Sequence, residues 1–150
     1  MEQWRWIQND HINAFGILHG GHMLKWVDED TTMAAFNCCA PGTLLTTAGF
    51  DRTSFVAPSI RGDRLRFVYS VAHIGTSSIT FLAHVYRHPI DSGQKPQLAF
   101  RSLTTLVCIN ENNHPAPIKD KLLSGIKVDT TMSQWVDELR KQRKSDPTNW

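Results

Sequence analysis

Apolar and polar residues alternate with a period of two along much of this chain. Leu65, Phe67, Tyr69 and Val71 alternate with Arg64, Arg66 and Ser70, and Ile79, Phe81, Ala83 and Val85 with Thr80, His84 and Tyr86. Such alternation predicts strands with one buried face, and Gly75-Thr76 between the two runs predicts a hairpin turn. Trp4-Arg5-Trp6 reads as a short opening strand. Leu44 to Val56, rich in Thr, Phe and Val and closed by Ala57-Pro58, and Leu98 to Ile109 read as two longer strands. Residues 9–21, Pro89 to Pro96 and Asn110 to Pro117 carry the Asn, Asp, Gly and Pro of loops.

The helical period governs two segments. Gly20-Gly21 leads into a helix from His22 to about Cys39, stopped by Pro41-Gly42, and a short amphipathic helix runs from about Met132 to Lys144 before a basic, frayed tail. Strand, helix, then four strands predict an α+β arrangement: a curved antiparallel sheet of about five strands packed on one long helix.

Composition narrows the class. The 150 residues are enough for one domain with a real core, and 41% hydrophobic with 20% charged excludes a disordered chain. Sixteen Lys+Arg against fourteen Asp+Glu leave a net charge of +2, which argues against nucleic acid as a partner. Three cysteines cannot all pair within the chain, and Cys38 and Cys39 are neighbours; reduced thiols and a cytoplasmic location are expected. The first residues lack a signal-peptide core, and no run approaches the ~18 apolar residues of a membrane span.

The long helix holds the candidate chemistry. On a helical wheel Leu24, Val27, Thr31, Ala34, Ala35 and Cys38 form its apolar stripe, and Asp28 falls within it, roughly 40° from Leu24. Lys25, Glu29 and Asp30 are expected to point away, onto a solvated face. A core-facing carboxylate is costly unless paired or hydrogen-bonded. It is either a satisfied structural group or a general base taken partly out of water. Gly20-Gly21, at the helix start, leave backbone N–H groups sterically open to an oxyanion, or merely permit a tight turn. His19 and His22 lack a third ligand, so no metal is expected. No G-x-S-x-G elbow or Cys–His pair is evident.

Taken together, Asn13-Ala14-Phe15-Gly16-Ile17-Leu18-His19-Gly20-Gly21 and the helix bearing Asp28-Glu29 resemble the hot-dog-fold acyl-CoA thioesterases, in their acyl-CoA hydrolase branch. Phe55-Val56-Ala57-Pro58, Gly62-Asp63 and Gly75-Thr76-Ser77-Ser78 continue the likeness, which covers about residues 9–118. The helical segment from about 119 to 150 is then an extension of a single hot-dog unit.

The resemblance implies a central helix wrapped by the sheet, and homodimers that assemble further into tetramers or hexamers. Each active site would lie between two subunits, with Asn13 from one and Asp28 from the other. Asp28 would be base or nucleophile, Asn13 would position water or substrate, and the amide of Gly20 or Gly21 would polarise the thioester carbonyl. His19 and the Gly75-Thr76-Ser77 turn would contact the substrate. Ala57 stands where many relatives carry an arginine, which shifts the coenzyme A phosphates onto Arg52, Arg61 or Arg64. The implied activity is hydrolysis of fatty acyl-CoA, with coenzyme A as part of the substrate and no cofactor beyond it. A non-catalytic acyl-CoA-binding module, or a dehydratase using His11 or His19, are the alternatives.

Overall fold

The computed structural model describes residues 1–91 and 93–145. Residues 146–150, where the frayed tail is expected, and Ser92 of the 89–96 loop lie outside the described residues. The chain forms β1 (Glu2–Trp6), α1 (Gly20–Cys38), β2 (Leu44–Phe55), β3 (Arg64–Ile74), β4 (Ser78–His88), β5 (Gln97–Ile109) and α2 (Thr130–Ser145). All five strands make one antiparallel sheet in the order β1-β3-β4-β5-β2.

The period of two does what it predicts. Leu65 and Phe67 of β3, Ala83 and Val85 of β4 and Phe100 of β5 turn to one face, are fully buried, and meet Met23, Trp26 and Val27 of α1. Toward the other end of the helix, Ala34, Ala35 and Cys39 pack on Ile79, Phe81, Leu106 and Cys108. Each large side chain buried this way contributes about 1.5–3 kcal/mol. The opposite face of the sheet carries a smaller cluster, Ala72 and Leu103 under Val136 of α2. Burial pushes the thiols of Cys38 and Cys39 up, and Cys38, Cys39 and Cys108 are all free.

One expectation about α1 is overturned. Asp30 is buried, not solvated: the band that faces the sheet is Met23, Trp26, Val27, Asp30, Thr31, Ala34 and Ala35, while Leu24 and Cys38 are only half-buried. The carboxylate is tolerated because it is fully paired. Arg5 of β1 grips it with two bonds of 2.7 and 2.8 Å, and the Tyr69 hydroxyl of β3 donates a third at 2.7 Å. The Arg5 guanidinium in turn lies over the rings of Trp26 and Phe67. Burial, reinforced by the neighbouring carboxylate, pushes the Tyr69 phenol far above its ordinary range, so it stays a donor. The network ties the first strand to the helix and the middle of the sheet.

The Gly62-Asp63 pair is likewise structural. Asp63 is fully buried and receives the backbone N–H groups of Ile60 and Ile90 and the Arg87 side chain, fixing the loop between β2 and β3 against β4.

Candidate active site

Asp28 lies on the flank of α1, about 100° from Val27, and its side chain is half-buried against β2. Its Oδ1 accepts a 2.6 Å hydrogen bond from the Thr47 hydroxyl. Thr47 stands beside a bulge, where β2 shifts register against β5 between Thr47 and Gly49. Such a bulge re-aims side chains out of the ordinary alternation. Thr47 is the functional candidate that reading the sequence does not single out. The threonines of Leu44–Phe55 register only as strand formers, and which one faces Asp28 depends on the bulge.

At the start of α1, His19 caps the helix through its own ring: Nδ1 accepts from the Gly21 N–H at 3.0 Å. The Gly21 donor is therefore used within the chain. The Gly20 N–H, first in the helix, has no acceptor among the described residues and carries the positive end of the helix dipole. The helix begins two residues earlier than the sequence pattern predicts, and this cap is the reason. A side chain at Gly20 would meet the Phe55 ring, 3.2 Å from an added Cβ. Phe55 borders an apolar cleft of about 270 Å³ formed with Ile17, Leu18, Met23, Val56 and Pro58. The helix N-terminus thus sets one open N–H donor beside an apolar recess.

Asn13 organises the loop before the helix. Its Oδ1 accepts from the backbone N–H groups of Phe15 (2.9 Å) and Ile17 (3.2 Å), and its amide NH2 takes part in neither bond. The tip of this loop is open: Phe15 is 86% exposed.

Other predicted residues do not gather here. Asp28 lies eight residues along α1 from Gly20, about 12 Å of helix axis. The Gly75-Thr76-Ser77 turn joins β3 to β4. Its backbone is engaged with Ser78, Cys108 and Ile118. Arg64 opens β3, so the strand separates it from that turn by about 35 Å. Arg61 reaches Asn9 at 3.1 Å, on the helix-start side. Arg52 sits on the outer face of the sheet, away from α1, over the Trp135 ring of α2. His11 packs edge-on against Trp26 and near His22. Among the described residues no group of three or more His, Cys, Asp or Glu is placed to hold a metal, and no helix is long and apolar enough to cross a membrane.

Within one chain, then, the Asp28 carboxylate and the open Gly20 N–H stand about 12 Å apart along the helix axis and do not converge on one point. A reaction needing both requires two copies. β2 is an edge strand of twelve residues, with no strand beyond it in the sheet, and Met33, Phe36, Phe55 and Val56 on α1 and around the end of β2 are exposed. A long free edge and exposed large apolar groups are what a partner covers.

A comparison with curated proteins finds no match. Among solved structures, an apo-hexameric acyl-CoA thioesterase superposes with a TM-score of 0.83 at 21% identity, covering 100% of this chain and 94% of that one. The acyl-CoA hydrolase from Staphylococcus aureus, solved with butyryl coenzyme A and coenzyme A, gives 0.79 at 22% identity over 97% of this chain and 86% of that one. The acyl-CoA hydrolase from Bacillus cereus gives 0.78 at 21% over 96% and 85%. Variants of the Staphylococcus aureus enzyme with alanine for an aspartate, a threonine or an asparagine superpose equally well. These likenesses extend through α2 and establish the hot-dog fold. The model of the thioesterase superfamily matches residues 15–93, more than half of the chain, and the chain belongs to that superfamily.

Proposed function

We propose that this protein hydrolyses acyl-CoA thioesters at sites completed by a second copy of the chain. The observation that carries the reading is that one chain holds a hydrogen-bonded carboxylate and an open backbone donor at separate positions. Asp28 with Thr47 stands at one position, and the open Gly20 N–H beside Asn13 and the Phe55 cleft stands at another. The proteins it resembles are described as acyl-CoA thioesterases and hydrolases, one of them as a hexamer, and a homodimer assembling further is the corresponding expectation here.

The thioester carbonyl would sit with its oxygen on the Gly20 N–H, a preorganised donor at a helix N-terminus that favours the developing oxyanion. The partner's copy of Asp28 would take a proton from water as the water oxygen attacks the carbonyl carbon. Collapse of the tetrahedral adduct breaks the C–S bond; the sulfur leaves as coenzyme A and acquires the proton, and the acyl group leaves as the carboxylate. Direct attack by the carboxylate, giving an anhydride that water opens, uses the same residues. The Thr47 hydroxyl holds Oδ1 and so aims Oδ2 in either route.

Release of free thiol from acyl-CoAs of graded chain length tests this. The wild-type protein is expected to turn over at least one chain-length class. Thr47→Val should lower kcat about tenfold with little change in KM, since a hydrogen bond to a charged group is worth about 1.5–3 kcal/mol. No thiol release from any acyl-CoA would overturn the proposal. An unchanged kcat in the variant would remove Thr47 from it.

A further inference from the structure

A second cleft lies on the other side of the sheet, between α2 and the outer faces of β2, β4 and β5, with a volume of about 550 Å³. Its size is within the range of small-molecule sites. Leu82 of β4, Leu103 of β5 and Met132 of α2 form an aliphatic wall, and Trp135 closes one side. Two arginines stand at this apolar recess, Arg52 and Arg101. Neither has a carboxylate within ion-pair distance among the described residues; the cationic face of Arg52 rests only on the Trp135 ring, at 5.9 Å.

The position of Arg52 is held at a cost. Its φ is +50°, left-handed for a residue that is not glycine, within a second bulge of β2 between Asp51 and Ser54. That conformation is unfavourable by about 1–2 kcal/mol for an ordinary residue. The adjoining Thr53 is pinned to Ser102 of β5 through their hydroxyls, 2.9 Å apart. The bulge re-aims the arginine toward the cleft, as bulges beside binding sites do. His84 of β4 also lines the cleft, paired in register with Arg101 of β5; burial, and secondarily Arg101, lower its pKa, so it adds a neutral donor or acceptor.

We propose that this cleft binds an amphipathic carboxylate, a fatty acid anion, with the carboxylate on Arg52 and Arg101 and the alkyl chain along Leu82, Leu103 and Met132. Two guanidiniums with no carboxylate partner among the described residues call for an anion, and guanidinium matches carboxylate geometry in a bidentate fork. The aliphatic wall selects a chain over a nucleotide base, which would want stacked rings on both sides. The site is on the opposite face of the sheet from Asp28 and Gly20, so it is separate from the hydrolytic half-sites and does not depend on them.

Binding of dodecanoate to the 150-residue protein, followed by calorimetry below its micelle concentration, tests the assignment. Arg52→Gln/Arg101→Gln exchanges two exposed side chains and should weaken binding at least about tenfold; 1-dodecanol, equal in chain but uncharged, should bind the wild type about as weakly as dodecanoate binds the variant. Hydrogen exchange should show dodecanoate protecting residues 130–139 of α2, in Asp28→Asn as in wild type, whether or not the protein hydrolyses acyl-CoA. Unchanged affinity in the double variant, protection confined to residues 15–24 and 55–59, or displacement of dodecanoate by ATP would each overturn it.

Discussion

Replacing Asp28 by asparagine is expected to cut thiol release from acyl-CoA on the order of 100- to 10,000-fold, the usual contribution of a positioned general base, and by more if the carboxylate attacks directly. The loss should fall on kcat. Asparagine keeps a carbonyl oxygen where Oδ1 accepts from Thr47, so the local geometry and the melting temperature should survive while the basic, nucleophilic oxygen is gone. Measuring kcat and KM alongside thermal unfolding separates the two effects. Activity within roughly threefold of wild type would leave Asp28 a structural partner of Thr47 and nothing more.

The largest effect on stability should come from a different carboxylate on the same helix. Asp30→Asn leaves the Arg5 guanidinium, stacked over Trp26 and Phe67, without its anionic partner. Breaking one side of a buried pair costs about 3–5 kcal/mol. For a chain of this size that corresponds to a fall in Tm of about 10 °C. Tyr69→Phe removes only one donor from the network and should cost about 1 kcal/mol. A solvated Asp30 would give a change within about 0.5 kcal/mol, so differential scanning calorimetry of the two variants decides between the two placements.

Much of the architecture is legible in the residues because the central strands turn one face onto the helix and the large apolar residues alternate accordingly. Leu65-Phe67-Tyr69-Val71 and Ile79-Phe81-Ala83-Val85 announce both the strands and their inward sides, and Gly75-Thr76 announces the hairpin. The helix is legible in length but not in orientation. A helical wheel shows that a stripe exists, and the sheet decides where its centre lies. Asp30 turns inward because Arg5 and Tyr69, distant along the chain, are there to meet it, and nothing local to the helix says so.

The candidate site divides along the same line. Asn13, Gly20-Gly21 and Asp28 stand out because their residue types cluster in one short segment. Thr47 is hidden because its approach to Asp28 depends on a bulge. Arg52, Arg61, Arg64 and the 75–77 turn look interchangeable as substrate contacts in the sequence. In the fold they are spread over opposite faces and opposite ends of the sheet. The choice of Gly20 over Gly21 as the open donor rests on the His19 ring, whose role as a cap cannot be read from a His-Gly-Gly string.

Subunit complementation tests the shared site most directly. Asn13→Ala and Asp28→Asn are each expected to be nearly inactive alone. Mixed by co-expression or joint refolding, half of randomly formed dimers would pair one of each, and each such dimer would hold one site with both residues intact. About a quarter of the wild-type sites should then return. If each site were built from a single chain, no pairing could reunite Asn13 with Asp28, and a mixture no more active than its two components would contradict the account.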